Sequence, residues 1–196
     1  MLAYLFWHWP SPDVDAGEYE QLQRDFQAAL GAAGPPLFRE SVVFRVHGSA
    51  PWLGSAPAYA DWYLVESSAG LDELNSAAVS GACKEPHDRA ARAAAAGAGS
   101  LLGLRNELGG ARSPDLAGAR TVTWLTKPKG MPYDDFYAAV AAIPSASSSR
   151  PSLWRRQMVL GPTPEFGLLS AEGLQQHIPQ TFQPLRLDLT PVWSGR

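Results

Sequence analysis

The sequence predicts an α+β fold in which one β-α-β-β-α-β run is followed by a second, abbreviated one. Three observations predict it. Strand-like and helix-like segments recur in the same order in each half. A Gly/Ser/Pro-rich stretch, Gly109 to Gly118, separates the halves. The chain has 196 residues, 45% of them hydrophobic and 10% aromatic, which suits one compact domain or two small ones.

Each element has a local reason. The run "LAYLFWHW", Leu2 to Trp9, is rich in strand formers and is broken by "PSPDVDAGE". Asp15 then offers a helix cap with Glu18 three residues on. The spacing of Tyr19, Leu22, Phe26, Leu30 and Ala33 predicts a helix over about 17–33, ended by "GAAGPP". "LFRESVVFRVHG" and "YADWYLVES" read as strands around a loop, "SAPWLGSAPA". "SAGLDELNSAAVSG" and "EPHDRAARAAAAGAG" read as helical, with Pro86 suited to a first turn. The alanine run Ala90 to Ala96 reads as small-residue helix packing, and "LLGLRNEL" as a short fourth strand.

The second half repeats the order. "RTVTWLTKP" is a strand, "KGMPYDDFYAAVAAI" a helix, "SLWRRQMVL" and "FGLLS" a strand pair, "AEGLQQHI" a short helix and "PLRLDLTPVW" a final strand. The segments "AYLFWHWPSPDVDAGEYEQLQRDF" and "RTVTWLTKPKGMPYDDFYAAV" share strand, Trp, Pro, acidic helix start and aromatic face, which suggests a structural duplication. The expected units are residues 1–110 and 119–196, with 111–118 as linker.

A β-α-β-β-α-β unit is the ferredoxin-like arrangement. Two in one chain resemble the duplicated dimeric α/β-barrel superfamily in element order, over most of the length. The resemblance implies two antiparallel sheets packed face to face as a pseudo-dimeric α/β barrel, with helices outside. Members of that superfamily include small monooxygenases, lactone isomerases and haem enzymes. No catalytic motif of theirs matches here, so the resemblance assigns no residue roles.

Composition narrows the partners. The net charge is −3, too mild to make nucleic acid or an anionic membrane the default partner. The halves differ: residues 1–112 carry 8 Lys/Arg against 13 Asp/Glu, and residues 113–196 carry 8 against 6. One cysteine, Cys83, excludes an internal disulfide and a thiolate metal cluster. "MLAYLFWHWP" lacks a basic start and a small-residue cleavage site, so it reads as a strand. A cytoplasmic monomer (itself a pseudo-dimer) or homodimer, with a small-molecule ligand, is the expectation.

The chain holds no GxSxG, P-loop or GxGxxG pattern, and its four histidines show no metal-ligand spacing. No metal site is expected, and no cofactor is assigned. His8 alternates with Tyr4 and Phe6 and reads as a strand-end histidine bonded to backbone. His87 reads as a neighbour of a helix start, and Cys83 as a packing residue. In "FRESVVFRVHG", Phe38, Glu40, Val42, Phe44 and Val46 share one face, expected against the helices. Arg39, Ser41, Val43, Arg45 and His47 share the other, expected toward the barrel interior or solvent. In "LWRRQMVL", Arg156 alternates with Trp154 and Met158, as on a pocket wall. The alternative for that arginine is a pairing with Glu165 or an acidic residue of the first half. These patterns predict one cavity in which Arg45 and His47 are catalytic and Arg156, Trp7, Trp62 and Trp154 bind the ligand.

Three function classes follow. One is a metal-independent enzyme, an oxygenase or isomerase, acting on an aromatic or carboxylate-bearing molecule between the sheets. The second is a binding protein with the same pocket. The third is a structural or self-associating domain whose tryptophans are only core. A haem-binding version, with a histidine as axial ligand, is implied by the resemblance alone.

Overall fold

The computed structural model describes residues 1–54, 57–105, 114–145, 150–158, 161 and 163–195. The expected strand ends at 106–108 and 159–160, the last residues of the first unit, 109–110, linker residues 111–113 and turn residue Pro162 lie outside them.

The first half runs β1 (Leu2–Pro10), α1 (Ala16–Ala33), β2 (Phe38–His47), β3 (Ala58–Val65), α2 (Ala69–Ala78), α3 (Lys84–Ala93) and β4 (Ala94–Arg105). The second runs β5 (Thr121–Leu125), α4 (Tyr133–Ala141), β6 (Ser152–Arg156), β7 (Phe166–Ser170) and β8 (Leu185–Gly195). Asp15 caps α1 as its spacing predicts, its carboxylate accepting from the amides of Gly17 and Glu18. Gly34 ends the helix at φ +55°, a conformation that strains any residue with a Cβ.

The expected pair of ferredoxin-like sheets packed face to face as an α/β barrel is corrected here. All eight strands join one closed antiparallel barrel, in the order β1-β3-β2-β8-β5-β7-β6-β4. Closure comes from two ladders between the halves, β2 with β8 (Val46↔Leu189) and β4 with β6 (Gly103↔Arg155). The physical reason is that two separate sheets would leave four edges of unpaired amides and carbonyls, and closing the ring satisfies them. Helices are also fewer than expected. The segment read as a short helix over 171–178 forms only a 3-10 turn, Gln175–His177, with another at Gln180–Phe182. Pro179 stands between these turns and prevents one continuous helix.

The alanine run is split between elements. Helix α3 stops at Ala93 and the chain is extended from Ala94. Alanine favours helix, but tertiary contacts override that preference. Strand β4 pairs with β1, and its glycines let aromatic side chains of β1 lie across it. A Cβ on Gly97 would sit 2.3 Å from the Phe6 ring, and one on Gly99 would sit 2.7 Å from Tyr4 Oη.

Inside the barrel, alternate residues of every strand meet. Leu5 and Trp7 of β1, Val42 and Phe44 of β2, Trp62 of β3, Trp124 of β5 and Trp154 of β6 belong to one buried cluster. The expectation for the β2 faces is reversed over Val42, Phe44 and Val46, which point into the barrel while Val43 packs against α1; Phe38, beyond a register shift, packs with Phe26 and Leu30 of α1 as expected. Outside, α1, α2 and α3 cover the first half, and α4 covers β5, β6 and β7 through Phe136, Tyr137 and Val140. Every residue of β3 is buried, because it has packing on both faces.

Trp154→Ala should lower unfolding free energy by about 3–5 kcal/mol, as expected for a large cavity in a packed interior. Arg39→Ala, which removes an exposed ion pair with Glu66, should cost less than about 1 kcal/mol. Denaturant unfolding of both variants checks this, and equal midpoints would contradict a barrel held by its interior.

Candidate functional site

Of the six residues expected to line one cavity, the three tryptophans share the barrel interior and Arg45 and His47 lie outside it. Trp7, Trp62 and Trp154 are fully buried inside the barrel. Trp62 meets Trp154 edge-on at 5.6 Å, while Trp7 packs on Trp52 and Trp124. Arg45 and His47 face outward. The Arg45 guanidinium pairs with Glu20 of α1, and His47 Nε2 lies 3.0 Å from Thr190 Oγ1 in an exposed position. Arg156 donates to the carbonyls of Gly161 and Thr163, bracing the turn after β6. The pairing with Glu165 belongs instead to Arg155, whose Nε is 2.8 Å from its carboxylate.

The structure places a cavity elsewhere, on the outer face of the first half. It holds about 640 Å³ between β1, β3 and β4 on one side and α1, α2 and α3 on the other. Its apolar lining includes Tyr4, Phe6, Phe26, Leu30, Leu74 and Ala90. The polar lining includes His8, Tyr19, Gln23, Asp61, Tyr63 and His87. The volume lies within the range of small-molecule sites.

At its floor a chain of buried hydrogen bonds links four elements. His8 sits near the end of β1, 2% exposed, and aligns with Tyr59 on β3. Its Nε2 lies 2.8 Å from Asp61 Oδ1, and its Nδ1 lies 2.5 Å from the Tyr19 hydroxyl on α1. A carboxylate can only accept, so the Nε2 proton donates to Asp61 and Nδ1 accepts from Tyr19. The other oxygen of Asp61 accepts from Tyr63 at 2.8 Å and from Gln27 Nε2 at 3.3 Å. Gln27 also donates to the Tyr63 oxygen, and its own carbonyl accepts from Ser41 at 2.7 Å. Asp61 is thus buried but held by three donors, which a charge out of water requires.

Burial raises the Tyr19 phenol far above its usual range, and the nearby Asp61 and Tyr59 raise it further. Burial also pushes Tyr63 well up, with Asp61 adding to it. Both phenols therefore stay protonated at neutral pH. A ligand oxygen beside Tyr19 meets a phenol whose proton can move to His8, where Asp61 would stabilise the resulting imidazolium. Because both His8 nitrogens are engaged, the cleft floor does not fit an axial haem ligand at that residue. Among the described residues no group of three or more His, Cys, Asp or Glu could hold a metal ion.

The reading of His8 as bonded to backbone is corrected, since its partners are the side chains of Tyr19 and Asp61. One signal could have found them. Asp61 is a lone carboxylate in the middle of the apolar strand "AYADWYLV", and a buried charge there demands donors. Gln27 on the aromatic face of α1 is a weaker signal of the same kind. His87 also belongs to the cleft, its ring edge-on to Phe26 at 5.3 Å.

No helix among the described residues is long and apolar enough to cross a membrane. No protein-family model matches the chain, and no curated relative does either. Solved structures are similar in fold. One, from Fusobacterium nucleatum subsp. nucleatum and provisionally named a monooxygenase, superposes with a TM-score of 0.64 at 7% identity. That match covers 100% of this chain and 94% of the other. A second, from Lactobacillus acidophilus and named in the same provisional way, gives 0.57 at 8% identity, covering 99% and 95%. At these identities the likeness is one of fold over the whole chain.

Proposed function

We propose that this chain is a small-molecule enzyme of the oxygenase type whose ligand occupies the outer cleft of the first half. The observation that carries the proposal is the Tyr19–His8–Asp61 chain at the floor of a 640 Å³ aromatic cavity. The whole-chain likeness to two provisionally named monooxygenases supports the reaction class by analogy of fold.

The residues would act in sequence. A ligand bearing a phenolic or enolic hydroxyl lies with that oxygen at Tyr19. Its proton passes to the Tyr19 oxygen as the Tyr19 proton passes to His8 Nδ1. The ligand becomes an oxyanion, His8 an imidazolium, and Tyr19 is a phenol again. A free Tyr19 phenolate never accumulates, in keeping with its raised pKa. The electron-rich ligand anion is the species that dioxygen chemistry needs. Removing water from the cleft strengthens the Asp61–imidazolium attraction.

The neutral probe 2-naphthol tests occupancy. Its binding should quench protein fluorescence, and Ala78→Trp, which fills the cleft from α2, should abolish that quenching. Tyr19→Phe should weaken binding about tenfold, from the loss of roughly 1.4 kcal/mol in one hydrogen bond. Quenching that survives Ala78→Trp unchanged would show that the probe sits elsewhere.

Asp61→Asn keeps the shape of the floor but withdraws the charge that would hold the imidazolium. Substrate turnover, once a substrate is identified by oxygen uptake, should fall by about 10²–10⁴-fold, the span of general acid–base catalysis. Retained turnover would remove the relay from the mechanism.

The raised phenols also give a pH signature. A raised folded-state pKa stabilises the fold fully below the unfolded tyrosine value of about 10 and is lost as pH climbs through the folded value. Stability should therefore decline above about pH 10. In Tyr19→Phe that decline should be shallower, although the variant starts less stable by about 1–2 kcal/mol. Thermal unfolding across alkaline pH measures both, and parallel curves for the two proteins would refute the link to Tyr19.

A further inference from the structure

We propose that the cleft selects an uncharged, planar molecule, and that it rejects carboxylates and saturated, non-planar rings of the same size. This rests on the reading of the cleft as a ligand site and specifies what enters it.

Charge comes first. Among the described residues that line the cavity none is a lysine or arginine, and one, Asp61, is a carboxylate. Arg89 of α3 is engaged by Asp25 and Glu85. An anionic ligand would lose its hydration with no guanidinium or ammonium to replace it, and would face Asp61 as well. The two cleft imidazoles do not offset this. His8 is already committed to Asp61 and Tyr19, and His87 lies 3.3 Å from the Asp88 carboxylate.

Shape comes second. Tyr4, Phe6 and His8 are successive outward residues of β1, and their rings form a row. Phe6 is 6.2 Å from Tyr4 at 19° and 5.6 Å from His8 at 14°. The row lies across Gly97 and Gly99 of β4, where any Cβ would collide with Phe6 or Tyr4. The ring tips of Phe6 and Tyr4 lie over these glycines, so the row leans across β4 and lines the cleft with His8. The opposing side comes from Phe26 and Leu30 of α1 and Leu71 and Leu74 of α2. A slot lined on one side by a row of near-parallel rings gains aromatic contact from a planar ring that slides in beside them and less from a puckered one.

The test is a matched set: 2-naphthol, 6-hydroxy-2-naphthoate and decahydro-2-naphthol, each titrated calorimetrically into the full chain. The proposal expects 2-naphthol to bind at least about tenfold more tightly than either of the others. Asn75→Arg places a cation on α2 at the cleft without disturbing the barrel. It should improve 6-hydroxy-2-naphthoate by about tenfold and leave decahydro-2-naphthol unchanged. Gly97→Ala should push Phe6 off β4 and reduce the preference for 2-naphthol over decahydro-2-naphthol. Circular dichroism confirms that each variant is folded, and Asn75→Arg alone decides the charge question if Gly97→Ala does not fold. Equal binding of naphthol and naphthoate would overturn charge selection, and equal binding of naphthol and the decalin would overturn planar selection. In both cases the cleft reading stands, provided that Ala78→Trp still blocks binding. Absence of binding by all three overturns the proposal and the cleft reading together.

Discussion

Closure of the barrel is the constraint on which the other features depend. The β2–β8 and β4–β6 ladders remove every free sheet edge between the halves. They also commit each strand to two faces, one toward an interior filled by indoles and one toward the helices. Trp7, Trp62, Trp124 and Trp154 fill the interior, and the 640 Å³ cavity lies on the outer surface. The cleft exists where helices bridge the outer face of β1 and β3 without filling it.

The cavity described lies over the first half. Over β5, β6 and β7 the equivalent layer is closed by Phe136, Phe166 and Phe182, whose rings stand 4.5 and 4.9 Å from Phe136. Over β1 and β3, small residues hold the layers apart instead. Ala90, Ala94 and Gly97 line the cleft where large side chains would occlude it. The same alanines and glycines that made residues 94–99 look helical are what leave room for a ligand and for the rings of Tyr4 and Phe6. Composition there serves the cavity and the strand contact, and it overrides helix preference.

Element order and the α1 cap were legible, because hydrophobic period and turn residues are local properties. Strand partners were not, because pairing β2 with β8 brings together residues about 140 positions apart, and periodicity carries no such information. The face of β2 was misread for a related reason. Alternation separates two faces but does not say which is inside, and in a barrel covered by helices both are buried. The polar face of β2, with Ser41 and Arg45, meets polar residues of α1, Gln27 and Glu20, which the sequence could not place opposite it. Arginines and tryptophans drew attention as chemical side chains, yet the tryptophans fill space and the arginines brace Glu20 and a turn.

The buried hydrogen-bond chain from Ser41 to Tyr19 sets six polar side chains in contact at depth. Ser41, Gln27, Tyr63, Asp61, His8 and Tyr19 could each be replaced by a hydrocarbon of similar volume, and buried ion pairs often stabilise less than such replacements. A purely structural role explains the partners of each group once Asp61 is buried, but not why a carboxylate stands there. The chain ends at the cleft, at Tyr19, rather than at the protein surface. A network kept fully satisfied, drawn from β1, β2, β3 and α1 together, and terminating in a ligand-sized cavity, has the form of a proton path held ready by the rest of the barrel.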